Sequence, residues 1–234
     1  MGLSFFTVVF DSNEPQTVGR FWAAALGREL VESEPEWWTS LPGDPQLYFM
    51  KVPEEKTTKN RVHLDWAAPD RETEVQRLLS LGATRLWDTQ EKVGEDEMEW
   101  TTLADAEGNE FCVVRSQEHT DLRPATVVFD SNDPERVGRY WALALERDLV
   151  QVELGSDYWL PGQLPMSFAR VPEAKTTKNR VHIDWYATSR TAEVARLLGL
   201  GATHLWDVKN EDFEWTTLGD PEGNEFCVVQ SDQS

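Results

Sequence analysis

Residues 3–10, LSFFTVVF, form a β-branched and aromatic run that stops at the polar turn DSNEP, which predicts a strand. From Pro15 the apolar positions become Val18, Phe21, Trp22, Ala25 and Leu26, the i, i+3/i+4, i+7 spacing of a helix. Ser12 or Asn13 is placed to cap its start and Gly27 to end it. Three short strands follow, near 29–33, 37–41 and 47–52, separated by turns such as PGDP. Then the order begins again. RVHLDW reads as a strand, and residues 71–81 as a helix with Val75, Leu78 and Leu79 on one face and Gly82 behind it. Short strands near 84–87, 99–103 and 110–115 complete the unit, the last two joined by the turn AEGN. The pattern β-α-β-β-β therefore occurs twice before residue 116.

The rest of the chain writes the same thing once more. TVVFDSNEPQTVGRFWAAALGRELV from Thr7 returns as TVVFDSNDPERVGRYWALALERDLV from Thr126; VPEEKTTKNRVHLDW returns as VPEAKTTKNRVHIDW, and EGNEFCVV returns unchanged. The second copy is four residues shorter in the polar stretch that corresponds to Thr89–Glu97, where a surface loop tolerates deletion. Such a repeat is a whole small domain rather than a solenoid unit. The expected organisation is α+β, with residues 1–117 as one domain, 118–125 as a linker and 126–234 as a second. Whatever site one copy has, the other is expected to have too.

A formal charge of −20 argues against nucleic acid, whose phosphates would be repelled. No apolar run approaches the ~20 residues that a bilayer crossing needs, so no membrane partner is expected. Cys112 and Cys227 occupy the same slot in the two copies, one thiol each. They read as reduced, buried thiols, and with a start that lacks a basic leader segment they suggest a cytoplasmic protein. Exposed sheet edges are consistent with a homodimer.

Paired β-α-β-β-β modules with FW in the first helix, a KNRVHLD strand (59–65, and with Ile 178–184), an LLxLGAT helix end (78–84, 197–203) and a GNEFCV hairpin resemble the vicinal oxygen chelate superfamily. That group contains glyoxalase I, extradiol dioxygenases and bleomycin-type resistance proteins, and the likeness is greatest to its glyoxalase-like branch. The resemblance implies sheets that curl around a ligand-binding cleft in each domain. It also implies metal-ligand positions on the first, fourth, fifth and eighth strands. On the first strand these fall on Thr7 and Thr126, which are poor ligands. On the fifth they fall on His63 and His182, and on the eighth on Cys112 and Cys227, where relatives carry Glu. The fourth strand, LYFMKVPE, offers no donor before Glu54. Two donors per copy are too few for a catalytic metal, unless Glu110, Asp65 or a loop supplies a third. No metal or other cofactor is therefore expected.

Strand alternation puts Arg61, His63 and Asp65, and likewise Arg180, His182 and Asp184, on one face, the expected cleft face. Glu110, Cys112 and Val114 share a face of the last strand, which makes Glu110 and Glu225 the candidate bases, or else ion-pair partners of Arg61 and Arg180. KTTKNR, present twice, reads either as a connector paired with Glu54 and Glu55 or as a neutraliser of an anionic substrate. Trp22, Trp66, Trp87, Trp100 and their copies read as scaffold core. Tyr48, Trp37, Trp38, Tyr158 and Trp159 are candidates for stacking on a planar ligand. The favoured expectation is a metal-independent protein that binds an aromatic or hydrophobic small molecule. The alternative is a metal-dependent lyase, isomerase or dioxygenase that uses the His and Cys residues.

Overall fold

The computed structural model describes residues 2–33, 38–93, 96–116, 122–152, 157–209 and 214–230. The first copy runs β1 (Leu3–Ser12), α1 (Pro15–Leu26), β2 (Val31–Glu32), β3 (Trp38–Leu41), β4 (Leu47–Lys51), β5 (Val62–Ala68), α2 (Arg71–Ser80), β6 (Thr84–Val93), β7 (Asp96–Ala104) and β8 (Glu110–Arg115). The second runs β9 (Arg123–Ser131), α3 (Pro134–Leu145), β10 (Val150–Gln151), β11 (Tyr158–Leu160), β12 (Met166–Arg170), β13 (Val181–Ala187), α4 (Arg190–Leu200), β14 (Thr203–Lys209), β15 (Glu214–Gly219) and β16 (Glu225–Gln230). Element order follows the hydrophobic pattern. The hairpin strands β6 and β7 are longer than the pattern indicates, and residues 123–125, expected as linker, already belong to β9.

These strands form two eight-stranded mixed sheets, neither closed into a barrel, and each sheet draws on both copies. One has the order β14-β15-β16-β13-β1-β4-β3-β2, the other β10-β11-β12-β9-β5-β8-β7-β6. The seams are antiparallel: β1 lies on β13 with Val9 opposite His182, and β9 lies on β5 with Val128 opposite His63. The two modules of one copy thus do not pair with each other. Each joins the complementary module of the other copy, an intramolecular form of element exchange. A cleft contained within one copy, as expected above, is replaced by clefts shared between copies.

Each copy is held together instead by its first helix. Trp22 of α1 lies against Phe10 of the first sheet, at 6.0 Å between ring centres, and against Trp66 and Phe111 of the second, at 5.1 and 4.9 Å. Its ring is fully buried and its indole N–H reaches the Asp105 carboxylate at 3.3 Å. Trp141 repeats these contacts with Trp185, Phe226 and Asp220. Burying an aromatic ring of this size contributes several kcal/mol, so each helix acts as a wedge between the sheets.

The start of α1 departs from the sequence expectation. Glu14 is the N-cap and makes no side-chain cap; Asn13 turns to the carbonyls of Val52 and Glu54. The cap comes from far along the chain. Glu107, on the β7–β8 turn, accepts from the backbone N–H groups of Asn13 and Glu14 and from the Ser12 hydroxyl. Its carboxylate meets the orphan donors and positive dipole end of the helix. At the other end Gly27 takes φ +61°. Glu146 replaces it in the second copy and keeps the left-handed backbone, at φ +54°.

Candidate functional site

The floor of each cleft is a small polar triad. On β5, His63 and Asp65 are two residues apart on the same face, and Asp65 lies opposite Cys112 of the parallel neighbour β8. One ligand atom from each of His63, Asp65 and Cys112 falls within 4.8 Å of the others, and His182, Asp184 and Cys227 repeat the arrangement. The imidazole Nε2 is 3.4 Å from the Asp65 carboxylate, and the Cys112 sulfur is 3.5 Å from the Thr102 hydroxyl. His63 Nδ1 and Asp65 Oδ1 are buried with no hydrogen-bond partner, as are their counterparts on His182 and Asp184. Opposite neighbours Val62, Leu64 and Trp66 pack into the core, which is why the polar members of the strand face the cleft.

Burial dominates the electrostatics here. It raises the Asp65 carboxyl above the usual range and the Asp184 carboxyl to about 7, and it pushes His182 down to about 3. It also raises both thiols, helped by the adjacent aspartates. The His182 imidazole is therefore neutral and its contact with Asp184 is not an ion pair, because two charges in a buried pocket cost more than their attraction returns.

Above the His63 triad opens a cavity of about 690 Å³. The β6–β7 hairpin contributes Trp87, Met98 and Trp100 to its wall, β8 contributes Val114, and β9 and β12 of the other copy contribute Val128, Asp130, Ser167 and Ala169. Trp87 and Trp206, read from sequence as core, are instead 44% and 40% exposed. The register contained the signal for Trp100. Thr102 lies opposite Cys112 across the AEGN turn, so Trp100 two residues earlier lies opposite Val114 on the cleft face.

Several expected site residues lie elsewhere. Arg61 does not line the cavity; it is paired with Glu222 at 3.3 Å and donates to the Glu173 carbonyl. Arg180 likewise holds Glu107, Asn13 and the Glu54 carbonyl. Both arginines fasten one copy to the other. Glu110 lines the cavity but is bound by Lys56 at 3.0 Å and by the Asn60 N–H at 3.1 Å, and Glu225 by Lys175 and the Asn179 N–H. The partner is lysine rather than the expected arginine, and neither carboxylate is free to act as a base. The KTTKNR segment is thus consumed in ion pairs, though not with Glu54 or Glu55: Lys59 takes Asp130, and Lys178 takes Asp11. Thr7 and Thr126 donate to the carbonyls of Gln46 and Pro165.

Among the stacking candidates, Trp37 lies outside the described residues. Tyr158 lies opposite Phe168 and packs against the core, away from the cleft; Trp159 lies opposite Ser167 and is 41% exposed. Tyr48 and Trp38 belong to the His182 cleft, where the copies differ most. Ser167, Asp157, Ala67 and Ala125 around the His63 cleft are matched in register by Tyr48, Trp38, Tyr186 and Phe6. Those four rings form a row, with Trp38 5.5 Å from Tyr48, Tyr48 6.0 Å from Phe6, and Phe6 stacked on Tyr186 at 4.1 Å. The triads are the same in both clefts; the walls are not.

Paired β-α-β-β-β modules curled around shared clefts define a vicinal oxygen chelate protein. The chain belongs to the glyoxalase-like domain family, whose model matches residues 7–114 and 126–229. Its structure is similar to glyoxalase I from Zea mays (TM-score 0.72, 12% identity, 98% of this chain and 92% of that one). It is also similar to a putative dioxygenase from Bacillus subtilis subsp. subtilis str. 168 (TM-score 0.67, 14% identity, 100% of this chain and 86% of that one). At these identities the likeness is one of fold. No curated protein matches the chain. No helix among the described residues is long and apolar enough to cross a membrane.

The relatives' four-strand metal arrangement does not fit these residues. Of its first-strand positions, both threonine hydroxyls are engaged by main-chain carbonyls, and on the fourth strand Tyr48, Met50, Ser167 and Ala169 supply no carboxylate or imidazole. The expectation of no metal rested on two donors per copy, and Asp65 and Asp184 now raise that number to three.

Proposed function

We propose that this chain binds an aromatic or hydrophobic small molecule, of the sequestering rather than the transforming kind, in the cleft that β5–β8 form with β9–β12. The cavity of about 690 Å³ carries the reading. Its volume falls within the few hundred to ~1,000 Å³ of ordinary small-molecule sites, and two indoles with Met98, Val114, Val128 and Val152 give it an apolar part among polar and charged side chains such as Lys59, Glu91, Asp130 and Arg170. Trp87 and Trp100 offer faces for a planar ligand, and His63 Nδ1 is a buried atom without a hydrogen-bond partner that a ligand's polar end would satisfy. Engagement of Glu110 by Lys56 and Asn60 supports binding over catalysis, since it ties up the carboxylate expected to act as the base. The aromatic row in the His182 cleft supports one principal ligand per chain, in the His63 cleft.

Quenching of intrinsic tryptophan fluorescence by a panel of aromatic small molecules tests this. Saturable quenching at one equivalent is expected, weakened at least tenfold by Trp100→Ala and unchanged by Trp215→Ala. Equal loss in both variants, or no saturable quenching by any compound, would refute the reading. The enzyme alternative rests on one observation, the convergence of His, Asp and Cys. Turnover of a panel compound that stops in His63→Ala would establish it.

A further inference from the structure

We propose that the His182 cleft is already occupied, by the protein's own rings. Tyr186, Phe6, Tyr48 and Trp38 stand where a bound molecule would lie. At the same register positions Ala67, Ala125, Ser167 and Asp157 leave the His63 cleft open. The inference rests on the ligand reading above and deepens it, because the row outlines the molecule that the open cleft takes.

Three observations carry it. First, the floors of the two clefts match while one wall does not. The His63 and Asp65 side chains are 10% and 18% exposed, those of His182 and Asp184 11% and 17%, so the rings stand beside the floor rather than over it. One aromatic runs the other way: Trp159 replaces Ser40 opposite Ser167, but it is 41% exposed and does not line the cavity.

Second, the four rings satisfy one another. They cross the adjacent strands β13, β1, β4 and β3 in turn, all half-buried. Phe6 stacks on Tyr186 with 26° between their planes, and Tyr48 and Trp38 continue the row in tilted contacts. Ring-on-ring contact is what an aromatic wall offers a planar ligand, and here the protein supplies both partners.

Third, the backbone is shaped to deliver Phe6. The β1–β13 seam shifts register between Phe5 and Thr7, and the β9–β5 seam skips Ala125 in the same way. A bulge re-aims the side chain it carries. On one side it lays a ring onto Tyr186; on the other only methyl groups stand there, and Val114, opposite Ala67, lines the cavity.

The row gives the ligand's class. A molecule that takes the place of four neighbouring rings is flat and elongated, with two or more fused rings. Ser167 and Asp157 replace Tyr48 and Trp38 at one end of it and line the cavity, so that end carries a hydrogen-bond donor.

1-Aminoanthracene, an uncharged three-ring amine whose fluorescence rises in apolar surroundings, is the probe. Each substitution installs the residue that the other copy carries at that position. Phe6→Ala with Tyr186→Ala opens the His182 cleft, and a fourfold variant adds Tyr48→Ser and Trp38→Asp. Stoichiometry should rise from one equivalent in the parent to two in both variants, with the far-ultraviolet circular dichroism of the parent. In the opened chain Trp215→Ala should weaken one of the two sites about tenfold and Trp100→Ala the other. Ala67→Tyr with Ala125→Phe should weaken the parent's own site by a similar factor. Two equivalents bound by the parent, no gain in a folded opened variant, or a closed variant that binds as the parent does would each overturn the inference. A parent that binds no probe would count against the ligand reading alone; the gain of one equivalent on opening still decides this one.

Discussion

Replacement of Glu107 by alanine should be among the most damaging substitutions available on a polar side chain here. Glu107 sits on the β7–β8 turn, in one sheet, and ties down two parts of the other. Its carboxylate accepts from Ser12, from the Asn13 and Glu14 N–H groups at the start of α1, and from Arg180 at 3.1 Å. The Arg180 and Glu107 side chains are 9% and 12% exposed, so the pair is effectively buried. Glu107→Ala leaves that guanidinium with only the neutral acceptors Asn13 Oδ1 and the Glu54 carbonyl, and leaves α1 with no carboxylate at its N-terminus. Breaking such a pair costs about 3–5 kcal/mol. At ~2–4 °C per kcal/mol for a chain of this size, the thermal midpoint should fall by roughly 6–20 °C. Circular dichroism melts of Glu107→Ala, Arg180→Met and the double variant measure the loss and the coupling. Glu135→Ala, which removes an exposed i,i+4 partner of Arg139, is the control and should leave the midpoint unchanged within error. A Glu107→Ala midpoint equal to that control would refute the clamp and the distant capping of α1 together.

Glu146→Gly should stabilise the chain by about 1 kcal/mol in urea unfolding, because Glu146 occupies a left-handed conformation that glycine adopts freely; a loss would contradict this. Gly19→Ala should destabilise by about 1–3 kcal/mol, since its Cβ would meet Thr39 Oγ1 at 2.6 Å and Leu30 Cδ1 at 2.9 Å. Gly138→Ala, whose nearest contact is 3.0 Å from a leucine methyl, should cost distinctly less in the same assay. With Asp184 raised and His182 lowered, the pair binds one proton between about pH 4 and 6.5 both folded and unfolded, so it adds no pH slope to stability there. Asp184→Asn removes the raised member; stability should then rise with pH through that window by up to about 1.4 kcal/mol per unit relative to the parent, and parallel curves would refute the assignment.

Much of this was legible without coordinates. The 3.6- and 2-residue periodicities located the helices and strands, and strand alternation put His63 and Asp65 on one face and Leu64 and Trp66 on the other. It failed where partners are distant. The exposed Trp87 and Trp206 look like scaffold because a tryptophan's composition carries no sign of which sheet face it meets. Arg61 has the right parity for the cleft, but it sits at the strand's entry, where Glu222 of the other copy takes its guanidinium. Asp130 was overlooked because its partner, Lys59, lies 71 positions earlier.

By itself the sequence determined the local elements, the duplication and the membership of a β-α-β-β-β family, because each of these follows from short runs of residues. It could not decide which modules share a sheet. RVHLDW and RVHIDW present almost the same edge, so β1 could pair with either by the same hydrogen bonds and the same alternation. Only the tertiary structure resolves this, in favour of the exchanged pairing. There the arginines of each fifth strand find the glutamate that caps the other copy's helix, and a cleft wall from one copy closes over a triad from the other.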